Sequence, residues 1–129
     1  MTVYRVVGGM EFFDELVERF YKRVATDILL RPLYPDDLGA SKRHLALFLA
    51  QYWGGPTTYS DHRGHPRLRM RHAPFIISDA ERDAWLRHMS AALDSLVDDH
   101  DVHPAVEARL LDYFTSTADA MVNARTPSP

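Results

Sequence analysis

An all-α fold is what this sequence predicts, and three observations carry the prediction. Apolar residues recur every three or four positions through several long stretches, no stretch alternates with the period of two that a half-buried strand requires, and Gly-Gly and proline sites punctuate the periodic stretches. Taken in order, a short N-terminal turn of helix ends at Gly8 and Gly9. From Glu11 to Ala25 the residues Phe12, Phe13, Leu16, Val17, Phe20, Tyr21 and Val24 fall on one face, with Glu15, Glu18, Arg19 and Lys22 opposite, so an amphipathic helix is expected. Pro32 and Pro35 then allow only a short helical piece around Ile28 to Leu30 and a bend carrying Leu33 and Tyr34. A second helix runs from about Ser41 to Trp53, with Leu45, Phe48, Leu49 and Tyr52 inward, and Gly54-Gly55 stops it.

Residues 56–66 show no hydrophobic period and read as a loop, followed by a short helix ending at His72. Ser78 with Glu81 three positions later makes a capping-box pattern for a long helix to about Leu96, whose inward face is Ala84, Trp85, His88, Met89, Ala92, Leu93 and Leu96. Pro104 suits a first helical position, and Val106, Leu110, Leu111, Phe114, Ala118, Met121 and Val122 define a last helix to about Asn123, with a frayed tail from Arg125 to Pro129.

The chain has 129 residues, 46% hydrophobic and 26% charged, which is the size and balance of one globular domain with its own core. A net charge of -3 argues against electrostatic binding of nucleic acid or anionic membrane by the molecule as a whole. With no cysteine, disulfide scaffolds, thiolate zinc sites, cysteine-held clusters and thiol nucleophiles are all excluded, and a reducing compartment is favoured. No basic-then-apolar leader and no run of about 18 apolar residues is present, so a cytoplasmic protein is expected.

The stretch Arg69, Met70, Arg71, His72, Ala73, Pro74, Phe75 is the most informative. Pro74 cannot extend the helix and turns Ala73 away from helical geometry, so the chain departs just after the imidazole and leaves space beside it. His72 shares a face with Leu68, while Arg69 and Arg71 can lean outward; an imidazole presented this way can hold a haem iron. A helical bundle without cofactor remains an alternative at this point. Against it stands the set Phe20, Tyr21, Tyr34, Phe48, Tyr52 and Trp85, bulky and partly polar for so small an interior, because each buried phenol or indole N–H left unpaired costs about 1–3 kcal/mol.

Read together, several motifs resemble those of the group II truncated haemoglobins from Val7 to Asn123: Val7-Gly8-Gly9; Arg19-Phe20-Tyr21; Leu33-Tyr34-Pro35; Gln51-Tyr52-Trp53-Gly54-Gly55-Pro56; the run from Arg63 to Phe75; and Glu81 to Leu86. The resemblance implies a two-over-two helical sandwich around haem b, with His72 as the iron ligand. It also implies a distal pocket of Tyr21, Tyr34 and Trp85, kept dry by Leu45, Phe48 and Leu49. Phe75, Met70 and Leu68 would pack the proximal side, and Tyr59, His65 and Arg71 are the candidates for the propionates. Phenol and indole donors in such a pocket favour dioxygen, which gains partial negative charge, over neutral carbon monoxide. Each bond, at about 1–1.5 kcal/mol, slows ligand escape roughly tenfold. Two departures stand out: the bend after Tyr34 is a residue shorter than in some relatives, leaving Ala40 and Ser41 as alternatives for the distal gate, and His44 replaces a more basic residue.

Two functional classes follow from haem. One is a binding protein for dioxygen and other diatomic ligands, whose tight retention would suit storage or sensing better than bulk oxygen transport. The other is a redox enzyme acting on peroxide or nitric oxide, which would need an external reductase since no nicotinamide fingerprint is present. A homo-oligomer is possible by analogy. The remaining histidines read as structural: His88 as a helix-face or core residue, and His62, His100 and His103 as exposed. A zinc site on His65 and His72 lacks helical spacing and a third ligand, and the arginine-rich segment 63–71 is too local for a nucleic-acid adaptor.

Overall fold

The computed structural model describes residues 2–124, and these fold into helices joined by turns. Helix α1 (Val3–Val6) leads into α2 (Met10–Val24), then a 3₁₀ turn (Arg31–Leu33), α3 (Gly39–Tyr52), α4 (Thr58–Arg63), α5 (Leu68–His72), α6 (Asp79–His100) and α7 (Pro104–Met121). The long helices form two layered pairs: α2 packs on both α3 and α6, and α6 packs on α7, while the short α5 rests against α7. This is the two-over-two helical sandwich that was expected.

The apolar stripe of α2 is buried as its spacing requires, with Phe13, Leu16, Phe20 and Val24 fully inside against Leu49, Met89, Leu93 and Leu96. Fully burying one such side chain stabilises by about 1.5–3 kcal/mol. Gly54 and Gly55 end α3 where little else fits. Gly54 has φ +102°, and a Cβ on Gly55 would lie 2.6 Å from the Tyr4 ring and 2.8 Å from the Ala50 carbonyl oxygen. The close approach lets α1 seal the end of α3 through the Tyr4 N–H bond to the Trp53 carbonyl, 3.0 Å.

Four expectations are corrected. Residues 58–63 are helical, not loop, because Gln51 grips Ser60 twice: its amide nitrogen donates to the Ser60 hydroxyl (2.7 Å) and its oxygen accepts from the Ser60 N–H (3.0 Å). The short helical piece lies at 31–33, not at 28–30, because the Asp27 carboxylate captures the N–H groups of Leu29 and Leu30 in a turn. Ser78 does precede α6, yet its hydroxyl bonds the Glu81 carboxylate and not a backbone N–H, and the helix runs past Leu96 to His100, where Asp101 turns left-handed at φ 52°. Tyr52 faces outward, 55% exposed. The tail from Arg125 lies outside the described residues.

Candidate functional site

A cavity of about 390 Å³ opens between the two helical layers, within the range of small-molecule sites. It is walled by α2, α3, α6 and α7 and floored by α5, and it gathers most of the residues singled out in the sequence: Tyr21, Tyr34, Leu45, Phe48, Leu49, Tyr59, Leu68, Arg71, His72, Phe75 and Trp85 all line it. Tyr59 is buried there because Gln51 holds α4 down one residue away.

On the α5 side, the His72 Nδ1 sits 2.7 Å from the Leu68 carbonyl oxygen. A carbonyl can only accept, so Nδ1 carries the proton and the Nε2 lone pair is the free one, the tautomer a metal ligand needs. Pro74 and the Phe75 N–H bond to the His72 carbonyl (3.0 Å) turn the chain away at once. The segment is held further by the Asn123 amide, which donates to the carbonyls of Phe75 (2.8 Å) and His72 (3.4 Å), while its oxygen accepts from the Ile77 N–H (2.9 Å).

Opposite stands a chain of polar groups. Ser41 donates to the Tyr21 phenol, Tyr21 donates to the Tyr34 oxygen, and the Trp85 indole donates to that same oxygen. Burial is the main reason both phenols hold their protons tightly: it raises Tyr21 strongly and pushes Tyr34 up to about 12. The rings meet edge to face, Tyr21 on Tyr34 at 5.4 Å and Phe20 between Tyr21 (5.0 Å) and Trp85 (5.3 Å), which fixes their orientation. Because Tyr34 receives two bonds, its own O–H is the donor left to spend. Ser41 lines this cavity, and Ala40 is exposed.

At one rim His44, Arg63 and Arg71 converge. The imidazole of His44 is held neutral below its usual range, first by burial and then by the charges of Arg63, Arg43 and Arg71. Arg71 is fixed by its bonds to the carbonyls of Pro66 (2.8 Å) and Arg63 (3.1 Å).

Two expected residues lie elsewhere. The His65 ring accepts from the Arg67 N–H at 3.2 Å, supporting a left-handed residue (φ 46°) that starts α5, and so it belongs to a neighbouring surface groove. Met70 is 67% exposed and does not line the cavity, because on so short a helix it falls two positions from His72, on the far side. Sequence reasoning missed Leu30, Leu33, Ile77, Phe114 and Thr117 as lining residues. For Phe114 the signal was present in the apolar stripe of α7; for Ile77 and Leu30, which sit in turns, there was none.

His88 is buried but does not line the cavity. Its Nε2 faces the Asp27 carboxylate at 2.5 Å and its Nδ1 accepts from Arg23 at 3.0 Å, so it ties α6 to the turn after α2.

The chamber therefore suits a flat, largely apolar molecule with two acidic groups and a metal centre: apolar walls, one imidazole with its lone pair free, proton donors facing that imidazole, and cations at one edge. That is a globin site. The chain matches the bacterial-like globin family over residues 2–123 and belongs to it, and its cofactor is haem b. Within the family it is similar to the group 2 truncated hemoglobin YjbI of Bacillus subtilis, 42% identical over 119 residues that make up 89% of this chain and 84% of the relative. Among solved structures, a thermostable hemoglobin from the actinobacterium Thermobifida fusca superposes with a TM-score of 0.91 at 53% identity, covering 96% of this chain and 98% of that one. The group II truncated hemoglobin of Bacillus anthracis superposes at 0.87 and 37% identity, covering 98% and 99%.

Proposed function

We propose that the protein binds dioxygen and other diatomic ligands at a haem held by His72 and retains them through a hydrogen bond from Tyr34, which Tyr21 and Trp85 hold in place by donating to its oxygen. Haem, when bound, supplies one open coordination position at iron. The rest is the work of the chain. His72, oriented by the Leu68 carbonyl, would hold the iron, whereas His44, the other imidazole that lines the cavity, has its Nε2 3.3 Å from the Arg63 guanidinium at the rim. Leu45, Leu49 and Phe48 keep water out and lower the local dielectric, which strengthens each donor. Arg63 and Arg71, with neutral His44, sit where the acidic edge of the macrocycle would emerge, and of these the bidentate guanidinium groups suit carboxylates best.

The observation that carries this reading is the Tyr34 oxygen that accepts from both Tyr21 and Trp85, which leaves the Tyr34 O–H as the donor for a ligand, while burial, against the pull of those two bonds, keeps the phenol protonated. Stopped-flow displacement of dioxygen by carbon monoxide tests it. Slow dissociation that quickens in Tyr34→Phe is the expected result; a rate indifferent to Tyr34, Tyr21 and Trp85 together would refute it.

A further inference from the structure

A surface groove beside the haem cavity gathers charged side chains that meet no partner. It measures about 830 Å³ and runs along one face of α7, between the end of α3 and the 65–69 segment, a size that suits a small-molecule site. Arg67, Arg69 and Arg109 stand there with Asp112, and none of them forms an ion pair among the described residues. His65 fixes one of these positions by accepting the Arg67 N–H at 3.2 Å, which holds Arg67 left-handed at φ 46° with its side chain exposed. The floor is aromatic. Tyr52, 55% exposed, lies 4.1 Å from Tyr113 and 5.2 Å from Trp53, centroid to centroid. Trp53 is only 9% exposed, carries the Arg109 guanidinium 5.6 Å over its ring, and has an N–H that finds no acceptor among the described residues. Unpaired surface arginines are commonplace, but these border a stacking surface, an unmatched carboxylate and a buried donor whose missing partner is costly.

We propose that the groove binds a purine nucleoside monophosphate, with the base stacked on Tyr52, the phosphate held by Arg67 and Arg69, and the ribose hydroxyls donating to Asp112. Aromatic side chains stack on bases, guanidinium groups pair with phosphate oxygens in parallel bonds, and a carboxylate accepts from a ribose hydroxyl. Asp112 separates this ligand from an acidic peptide or a simple aromatic acid, because its charge repels a wholly anionic ligand yet accepts from hydroxyls. The base also carries ring nitrogens that can accept from the Trp53 N–H once Arg109 leaves the indole face. Binding here breaks no bond and is separate from dioxygen retention. Phe48, Leu68 and Tyr113 line both the groove and the haem cavity, so the nucleotide sits one layer of side chains from the haem site.

Isothermal titration calorimetry on the haem-loaded full chain at low ionic strength tests the assignment. The probes are adenosine monophosphate, adenosine, inorganic phosphate and the monophosphate analogue lacking both ribose hydroxyls. Adenosine monophosphate should bind the most tightly of them. Tyr52→Ala, and the joint change of Arg67→Ala with Arg69→Ala, should each weaken it about tenfold or more, and Asp112→Ala should remove the preference over the hydroxyl-free analogue. All these side chains are exposed, so an unchanged Soret band and Tm in each variant separate lost binding from lost fold. Adenosine monophosphate binding no tighter than inorganic phosphate, or undiminished in both the Tyr52 and the arginine variants, would overturn the proposal. So would a glutamate-rich peptide that outcompetes the nucleotide, which would assign the groove to an acidic protein segment.

Discussion

Removing the Asp27 carboxylate should loosen the whole distal side. The carboxylate accepts from His88 Nε2 at 2.5 Å and from the N–H groups of Leu29 and Leu30 at 2.8 and 2.9 Å, and its side chain is only 12% exposed. A charge-assisted bond to a buried partner is worth about 1.5–3 kcal/mol, and the buried Leu30 N–H left unpaired adds about 1, whereas water replaces the bond to exposed Leu29; Asp27→Ala therefore costs about 2–4 kcal/mol. For a domain of this length that is a fall in Tm of roughly 6–16 °C. Asp27→Asn keeps an acceptor oxygen and should lose about half as much. The pH dependence has a definite sign. The bond from His88, followed by that from the Leu30 N–H, holds the Asp27 carboxyl below its ordinary 3.8. A carboxylate so depressed contributes stability that is fully present above its unfolded pKa and lost as pH falls through its folded one, so the gap between wild type and Asp27→Ala should be constant near neutrality and close only below about pH 4. Calorimetry and urea titration of both variants across pH 3–7 would measure it. A Tm change under about 2 °C for Asp27→Ala at pH 7, or a gap that widens on acidification, would refute the reasoning.

Three further perturbations address the site and the backbone. His72→Gly should abolish the Soret band on purification, and free imidazole should restore it, because the cavity walls remain and only the ligand is gone; spectra with and without imidazole decide this. Tyr34→Phe should speed dioxygen release about tenfold, and more than Tyr21→Phe does, since the Tyr21 proton is already given to Tyr34; the reverse order in stopped flow would show that Tyr21 is the principal donor. Gly55→Ala should destabilise by about 1–3 kcal/mol in chemical denaturation, because its Cβ would press on the Tyr4 ring and the Ala50 carbonyl with no free side to move into.

The long helices were legible because each buries a continuous stripe, as in α2, where spacing alone fixes the face. His72 was legible for a different reason: Pro74 dictates what the chain must do next, so a local rule placed the imidazole at a cavity edge. α4 was invisible because it buries only Tyr59, and its stability comes from Gln51, nine residues before Ser60, a bond no periodicity announces. His65 and Met70 went astray for a related reason. A five-residue helix has too few turns for spacing to fix a face, and the left-handed Arg67 resets its direction. Ser41 could be told from Ala40 only once the start of α3 was set at Gly39, since one residue rotates a helix by about 100°.

Asn123 gives the proximal side a mechanical anchor. Its amide grips the backbone of residues 72, 75 and 77 at once, and Ile77 returns a carbonyl to the Asn123 and Ala124 N–H groups. Any pull on the imidazole is consequently felt at the end of α7 some fifty residues later in sequence. A probe attached near that terminus would register events at the metal, and Asn123→Ala would uncouple the two, leaving the imidazole free to tilt.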